Sequence, residues 1–374
     1  MFRFAYYYIF LQKAKLFCGH LLKIVLNSIY MKLIFFKDIK MLTKYLTGIM
    51  EQASKNVKTI VLPEGEDKRV LTAAHIITEA KAAKIIILGD EAEIKDFYKE
   101  NNWNMENITV ITPETSENLE KYTNLLFELR KDKGMTKEDA AKTALNYNYF
   151  GTLMVKAGDA DGMVSGANHS TADTVRPALQ IIKSAKKDRG VSSFLILVSN
   201  DTPYVLSDCG VVINPNEKEL ADIALTSAET AIQFGIEPKV AMLSFSTYGS
   251  GKGEAVDKVK NATKLAQEML ASDEYKNMGI ELDGELQVDA ALDTVVAAKK
   301  APQSHVAGKA KVLIFPNLEA GNIGYKLLQR LGGCEAYGPV LQGLNAPVND
   351  LSRGAFAEDI AGVIAITCLQ AHHQ

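Results

Sequence analysis

A hydroxyl, a guanidinium and a carboxyl fall close together near the C-terminus, as Ser352, Arg353 and Asp359. They sit in the run Pro347-Val348-Asn349-Asp350-Leu351-Ser352-Arg353-Gly354, just ahead of a helical pattern from Ala357 to His372. Acyl transfer uses these three kinds of group. A cation stabilises the oxyanion that forms on the carbonyl. A carboxylate takes a proton from the attacking group. A hydroxyl orients either one. Asn349, Asp350 and Ser352 are all capable helix caps, so capping alone accounts for one of them. It does not account for Arg353, because a cation at a helix start is electrostatically disfavoured. That placement points to a bound anion. Asp359, in the first turns of the helix, is expected to be held ionised by the dipole, which keeps it available as a proton acceptor but weakens it as a base.

Two upstream clusters carry similar residue types. Asp161 to Pro177 runs from an apolar approach through Ser165, Asn168, Ser170 and Thr171 into a helix that includes Arg176. Such a turn offers backbone N–H groups and a positive dipole end to an anion. The same segment is equally a plain strand-to-helix turn capped by Ser170 or Thr171. No partner acid is placed by the sequence for His169, which reads as a polar loop residue. The second cluster, Ser244 to Gly253, invites comparison with a P-loop. It has Ser246 where the first glycine belongs and Gly253 where Ser or Thr would bind Mg²⁺, so a nucleotide-triphosphatase reading is rejected. A glycine-rich turn with Ser246 and Thr247 remains, able to cradle one phosphate or to serve as a simple connection. Pro63 to Arg69 reads as a strand end with a solvated helix start. Arg130 reads as a helix-end charge beside Lys131 and Lys133.

These clusters need a scaffold, and the chain from residue 58 is patterned as α/β. Apolar strands are expected at 58–62, 85–88, 108–111, 193–198, 240–245, 312–315 and 338–343. Helical periodicity covers 67–82, 218–234, 254–270, 319–331 and 357–372, and Thr136 begins another helix. Continuous apolar strands alternating with amphipathic helices indicate mainly parallel sheets covered on both faces. The predicted fold is two three-layer α/β/α domains around an interdomain cleft, the natural place for a ligand. The expected division is an extension at 1–50, a first domain at 51–192 plus 338–374, and a second at 193–337.

The whole chain has 374 residues, 47% hydrophobic and 23% charged, with a formal net charge of −3. That balance gives no electrostatic case for nucleic acid or an anionic membrane surface. Cys18, Cys209, Cys334 and Cys368 are scattered without metal-ligand spacing, which suits reduced thiols in a cytoplasmic setting. The apolar runs in the first 40 residues are too short or too lysine-broken for a membrane span. A surface helix, an oligomer contact and translated sequence upstream of Met41 or Met50 are the open readings, the last being favoured.

In order along residues 55–374, PEG at 63–65, SGANHSTADTVRPALQ at 165–180 and MLSFSTYGSGKG at 242–253 resemble the phosphate acetyltransferase (phosphotransacetylase) family. So do GELQVDAAL at 284–292, FPNLEAGNIGYK at 315–326 and GPVLQGLNAPVNDLSRG at 338–354. The resemblance implies reversible acetyl transfer between acetyl phosphate and coenzyme A, with release of phosphate, by direct thiolate attack in a ternary complex. It implies an isocitrate/isopropylmalate dehydrogenase-like fold, a homodimer, functional coupling to acetate kinase, coenzyme A as substrate and no bound cofactor or metal. It matches Ser352 and Arg353 to the active-site pair, Asp359 to the base, and Arg130 and Arg176 to coenzyme A or phosphate contacts. Phosphate is expected to leave toward Ser165, Asn168, Ser170, Thr171, Ser246 and Thr247. The nearest alternative is a phosphate butyryltransferase acting on a longer acyl chain. A decarboxylating dehydrogenase would need metal-binding aspartates, and Asp289 and Asp293 read better as flanking a surface helix. A sensor without turnover is the non-enzymatic alternative.

Overall fold

A computed structural model describes residues 43–372 of the chain. The chain separates into compact units of 1–47 and 48–374, the first described over 43–47 alone, where helix Lys44–Ala53 begins. The readings of the first 40 residues therefore lie outside the described residues.

Eleven strands are found among the described residues: β1 (Lys58–Leu62), β2 (Ala83–Leu88), β3 (Ile108–Ile111), β4 (Gly162–Val164), β5 (Ser192–Ser199), β6 (Thr202–Ser207), β7 (Lys239–Leu243), β8 (Glu281–Leu286), β9 (Val312–Ile314), β10 (Glu335–Gln342) and β11 (Val348–Asn349). They form two sheets. The first has the order β11-β4-β1-β2-β3 and is parallel throughout. The second has the order β10-β5-β6-β9-β7-β8. Its β9-β7-β8 part is parallel, while β10, β5 and β6 pair antiparallel. The antiparallel part arises because β5 and β6 are joined by the tight turn at Asn200 and Asp201, both at positive φ. Such a turn can only reverse the chain. The segment expected to open the return to the first domain, 338–343, instead pairs through Gln342 with β5.

The buried faces follow the residue pattern. Val61, Leu88, Met163 and Val348 from the first sheet meet Phe150, Leu153 and Leu126 from the helices over it. Leu195, Leu206, Ala241 and Leu313 do the same for the second sheet. Helix Ala357–His372 is apolar almost all round and packs against β1, β4, β10 and helix Lys68–Glu79. A helix of that kind is stable only when covered on several sides. Gly362 permits its closest approach, since a Cβ there would lie 2.4 Å from the ring of Tyr337 on β10.

Candidate active site

The turn after β11 is fixed before it can do any chemistry. Asn349 is fully buried. Its Oδ1 accepts from the Leu341 amide (2.9 Å), and its Nδ2 donates to Thr367 Oγ1 (2.8 Å) and Gln370 Oε1 (2.7 Å). One side chain thus ties the turn to β10 and to the closing helix. Arg69 holds the far side, donating from Nη1 to the carbonyls of Arg353 (2.8 Å) and Ala355 (3.1 Å), and from Nη2 to that of Ala167 (2.9 Å). Asp67 aligns the guanidinium through a 2.6 Å ion pair.

Beyond this frame a pocket of about 140 Å³ opens where the first sheet's loops face helix Leu318–Arg330. Ser352 and Arg353 form one wall, His169 and Thr171 a second, and Asn322, Tyr325 and Lys326 a third. Asp350 is also part of its lining. Among the described residues neither Arg353 nor Lys326 makes an ion pair, so both charges are available to an anion. Asn322, Tyr325 and Lys326 were not singled out by the sequence. Their i, i+3, i+4 spacing, which puts them on one helix face, is the signal that could have found them.

The two strand-end turns read as anion cradles are already filled from within. Glu64 is 1% exposed. Its Oε2 accepts from the amides of Gly166 (3.0 Å) and Ala167 (2.8 Å), and its Oε1 from those of Asn168 (2.8 Å) and His169 (3.0 Å). Oε1 also lies 2.7 Å from His169 Nδ1. Glu64 is therefore no solvated helix-start charge, and His169 does have a partner acid. Ser165 is sealed beneath, its hydroxyl donating to Asn148 Oδ1 (2.7 Å). Asn168 reaches Glu66 (3.4 Å), and Ser170 caps helix Thr171–Pro177 in a mutual pair with Asp173. Of the first cluster, only His169 and Thr171 reach the pocket wall.

The 244–253 turn repeats the pattern. Glu285, 2% exposed, accepts from Ser246 Oγ (2.9 Å) and the Gly249 amide (2.6 Å). Thr247 Oγ1 accepts from the Gln287 amide (2.9 Å). Ser246 and Thr247 are buried and occupied, and neither lines the pocket. A phosphate at these hydroxyls and amides would compete with an internal carboxylate that already engages the donors.

Asp359 lies outside the pocket wall, at the start of the closing helix. Its Oδ2 accepts from the Phe356 amide (3.0 Å). Burial nevertheless raises its pKa above the ordinary carboxylate value, against the pull of that amide and of Arg330. The dipole expectation is thereby reversed, and a raised pKa makes it a stronger base when ionised. Arg130 and Arg176 lie together near Tyr149. Burial raises that phenol's pKa, and both guanidinium groups oppose the rise. Arg130 Nε is buried with no hydrogen-bond partner, and Arg176 is exposed.

Residues 44–368 match the family model for Phosphate acetyl/butaryl transferase. The chain is 50% identical over 336 residues to a phosphate acetyltransferase of Acetivibrio thermocellus, covering 88% of this chain and 98% of that one. Among solved structures it resembles a phosphotransacetylase from Streptococcus pyogenes, with a TM-score of 0.80 and 46% identity over 88% of this chain and 98% of that one. It likewise resembles the EutD phosphotransacetylase from Staphylococcus aureus, with a TM-score of 0.78 and 48% identity over 87% and 98%.

Proposed function

Because the chain belongs to the phosphate acetyl/butyryl transferase family, we infer that it moves an acetyl group reversibly between acetyl phosphate and coenzyme A. Relatives near 50% identity that are named phosphate acetyltransferases favour the acetyl over the butyryl substrate. The observation that carries the site assignment is the pocket that gathers the Ser352 hydroxyl with the unpaired cations of Arg353 and Lys326. An acyl phosphate brings a dianion whose charge is shared by three terminal oxygens, and such a pocket meets it with charge and donors.

In this reading acetyl phosphate occupies the pocket, and the thiol approaches along the 352–359 turn. A thiol with a pKa of about 8.5 is mostly protonated at neutral pH. Asp359, at the start of the closing helix, takes its proton. Sulfur attacks the acetyl carbon in a ternary complex, Arg353 stabilises the oxyanion, and Ser352 donates to it or orients the sulfur. Arg130 and Arg176 are assigned to the phosphate groups of coenzyme A. Coenzyme A is a substrate, and the assigned steps use side chains alone.

Homodimer formation and coupling to acetate kinase belong to the same proposal. The exposed stripe of Ile323 and Leu327 on helix Leu318–Arg330, continued by Leu331 at its C-cap, supports the former. A cytoplasmic setting is proposed from the free thiols of Cys209, Cys334 and Cys368. No helix among the described residues is long and apolar enough to cross a membrane.

Thiol-dependent release of phosphate from acetyl phosphate tests the activity. Arg353→Ala is expected to lower turnover on the order of 10²–10³-fold, the usual effect of losing one oxyanion donor. Turnover near the parent value would remove Arg353 from the chemistry.

A further inference from the structure

The strand-end carboxylates of this fold are used as internal anions. Glu64 and Glu285 fill the two turns described above. Asp208 fills a third, accepting from the amides of Ser193 (3.0 Å), Gly210 (2.7 Å), Val211 (3.0 Å) and Val212 (3.2 Å). Asp350 breaks the pattern. It is 1% exposed and lines the pocket, and in place of four backbone amides it has only the Leu351 amide and the hydroxyls of Thr171 and Thr174 nearby, none close and straight enough for a good hydrogen bond. The hydroxyl of Thr174, one of those neighbours, is buried and makes no well-aligned hydrogen bond of its own. A buried charge so weakly supplied with donors is costly, so such a group survives when something else completes it.

The charges around it say what that is. The Glu64 charge opposes ionisation of Asp350, and the nearby donors Thr171, Thr174 and the Leu351 amide favour it. Tyr325, His169, Lys326 and Arg353 line the same pocket. An ionised Asp350 beside a phosphoryl dianion would place like charges in contact. A protonated Asp350 is instead a hydrogen-bond donor to a phosphoryl oxygen.

With the transferase reading as premise, we propose that Asp350 binds the phosphoryl group in its protonated form and delivers that proton to phosphate as it leaves. The S–H proton passes to Asp359, and the sulfur electron pair forms the C–S bond. The C–O bond to phosphate breaks, its pair stays on the phosphate oxygen, and that oxygen takes the proton from Asp350. Hydrogen phosphate dianion departs. Asp350 recovers its proton from solvent, which receives the one held by Asp359, so the net change moves one proton from sulfur to phosphate. Burial is consistent with this, since it pushes Asp350 up to about 6.

Sulfate is the binding probe, because it stays a dianion throughout the range tested. Calorimetry of sulfate binding at pH 7.5 in two buffers of different ionisation enthalpy should give net proton uptake by the parent protein. Asp350→Asn keeps an N–H donor. It should bind sulfate without that uptake and lose at least ~10²-fold in turnover, the usual contribution of a positioned acid. Asp350→Ala should lose both sulfate affinity and turnover. Absent uptake in the parent, uptake that persists in Asp350→Asn, or parent-like turnover in that variant would overturn the proposal. Failure of the premise looks different: the parent itself would show no thiol-dependent phosphate release.

Discussion

Gly166→Ala separates a site that is merely folded from one that is positioned. Gly166 has φ +108°, and a Cβ there would lie 2.3 Å from Asp350 Oδ1 and 2.7 Å from the Leu351 amide nitrogen. Ordinary contact begins near 3.4 Å, so roughly 1 Å of movement is required. The glycine's own side cannot supply it freely, because the Gly166 and Ala167 amides are bound to Glu64 at 3.0 and 2.8 Å. The shift therefore falls on Asp350 and Leu351, the residues that immediately precede Ser352 and Arg353. A displacement of about 1 Å at reacting groups costs on the order of 10²-fold in rate. The backbone strain adds about 1–3 kcal/mol of destabilisation. Gly158→Ala is the control: φ is +80° there, and nothing lies within 4 Å of the added carbon. Both variants should melt earlier than the parent, but only Gly166→Ala should lose about 100-fold in phosphate release. A folded Gly166→Ala protein with parent-like turnover would refute the positioning role of the Gly166–Asp350 contact.

Arg130→Ala should raise the KM for coenzyme A with little change in kcat, and an unchanged KM would return Arg130 to a structural role. Asp350→Asn should stabilise the fold at pH 8 while it slows the reaction. The Asp350 pKa rises from 3.8 to about 6 on folding, so the folded state binds the extra proton and stability falls as pH rises across that window. Above it the ionised, buried group costs about 3 kcal/mol by linkage. The variant's gain in melting temperature should be full at pH 8 and vanish near pH 3, and an equal gain at both would exclude this cause.

What was legible in the sequence was what a local pattern fixes. Continuous apolar runs gave β1, β2 and β5, and the apolar run after Asp359 gave the closing helix as Ala357–His372. The helix start at Thr136 was readable and is present, with Asp139 completing a capping box. β6 and β8 were not readable, because TPYVLS and ELDGEL lack a clean run or strict alternation. β4 and β11 are too short to carry a pattern. Ser352 and Arg353 were legible because a cation at a helix start contradicts local electrostatics. Asp350 had no such contradiction. As a cap-capable residue in a turn it looked ordinary, and only the tertiary burial of its carboxyl makes it unusual.

The same limit explains why the two readings of the glycine- and hydroxyl-rich turns stayed open in the sequence. A turn rich in glycine and hydroxyls at a strand end presents convergent N–H donors whether the anion is a ligand or a side chain from elsewhere. Glu64 is 102 residues away from Gly166, and Glu285 is 36 from Gly249. No local pattern connects them. Once the internal carboxylates are assigned, the positions left for a substrate anion are those where donors and cations remain unmatched. Arg353 and Lys326 satisfy that condition, and Asp350 satisfies it only when it carries a proton. The proposed phosphate site therefore rests on side-chain charge at the pocket of Ser352 and Arg353. The backbone turns hold the walls apart, and a substitution that frees their amides, such as Glu64→Gln, should loosen the walls without creating a second phosphate site.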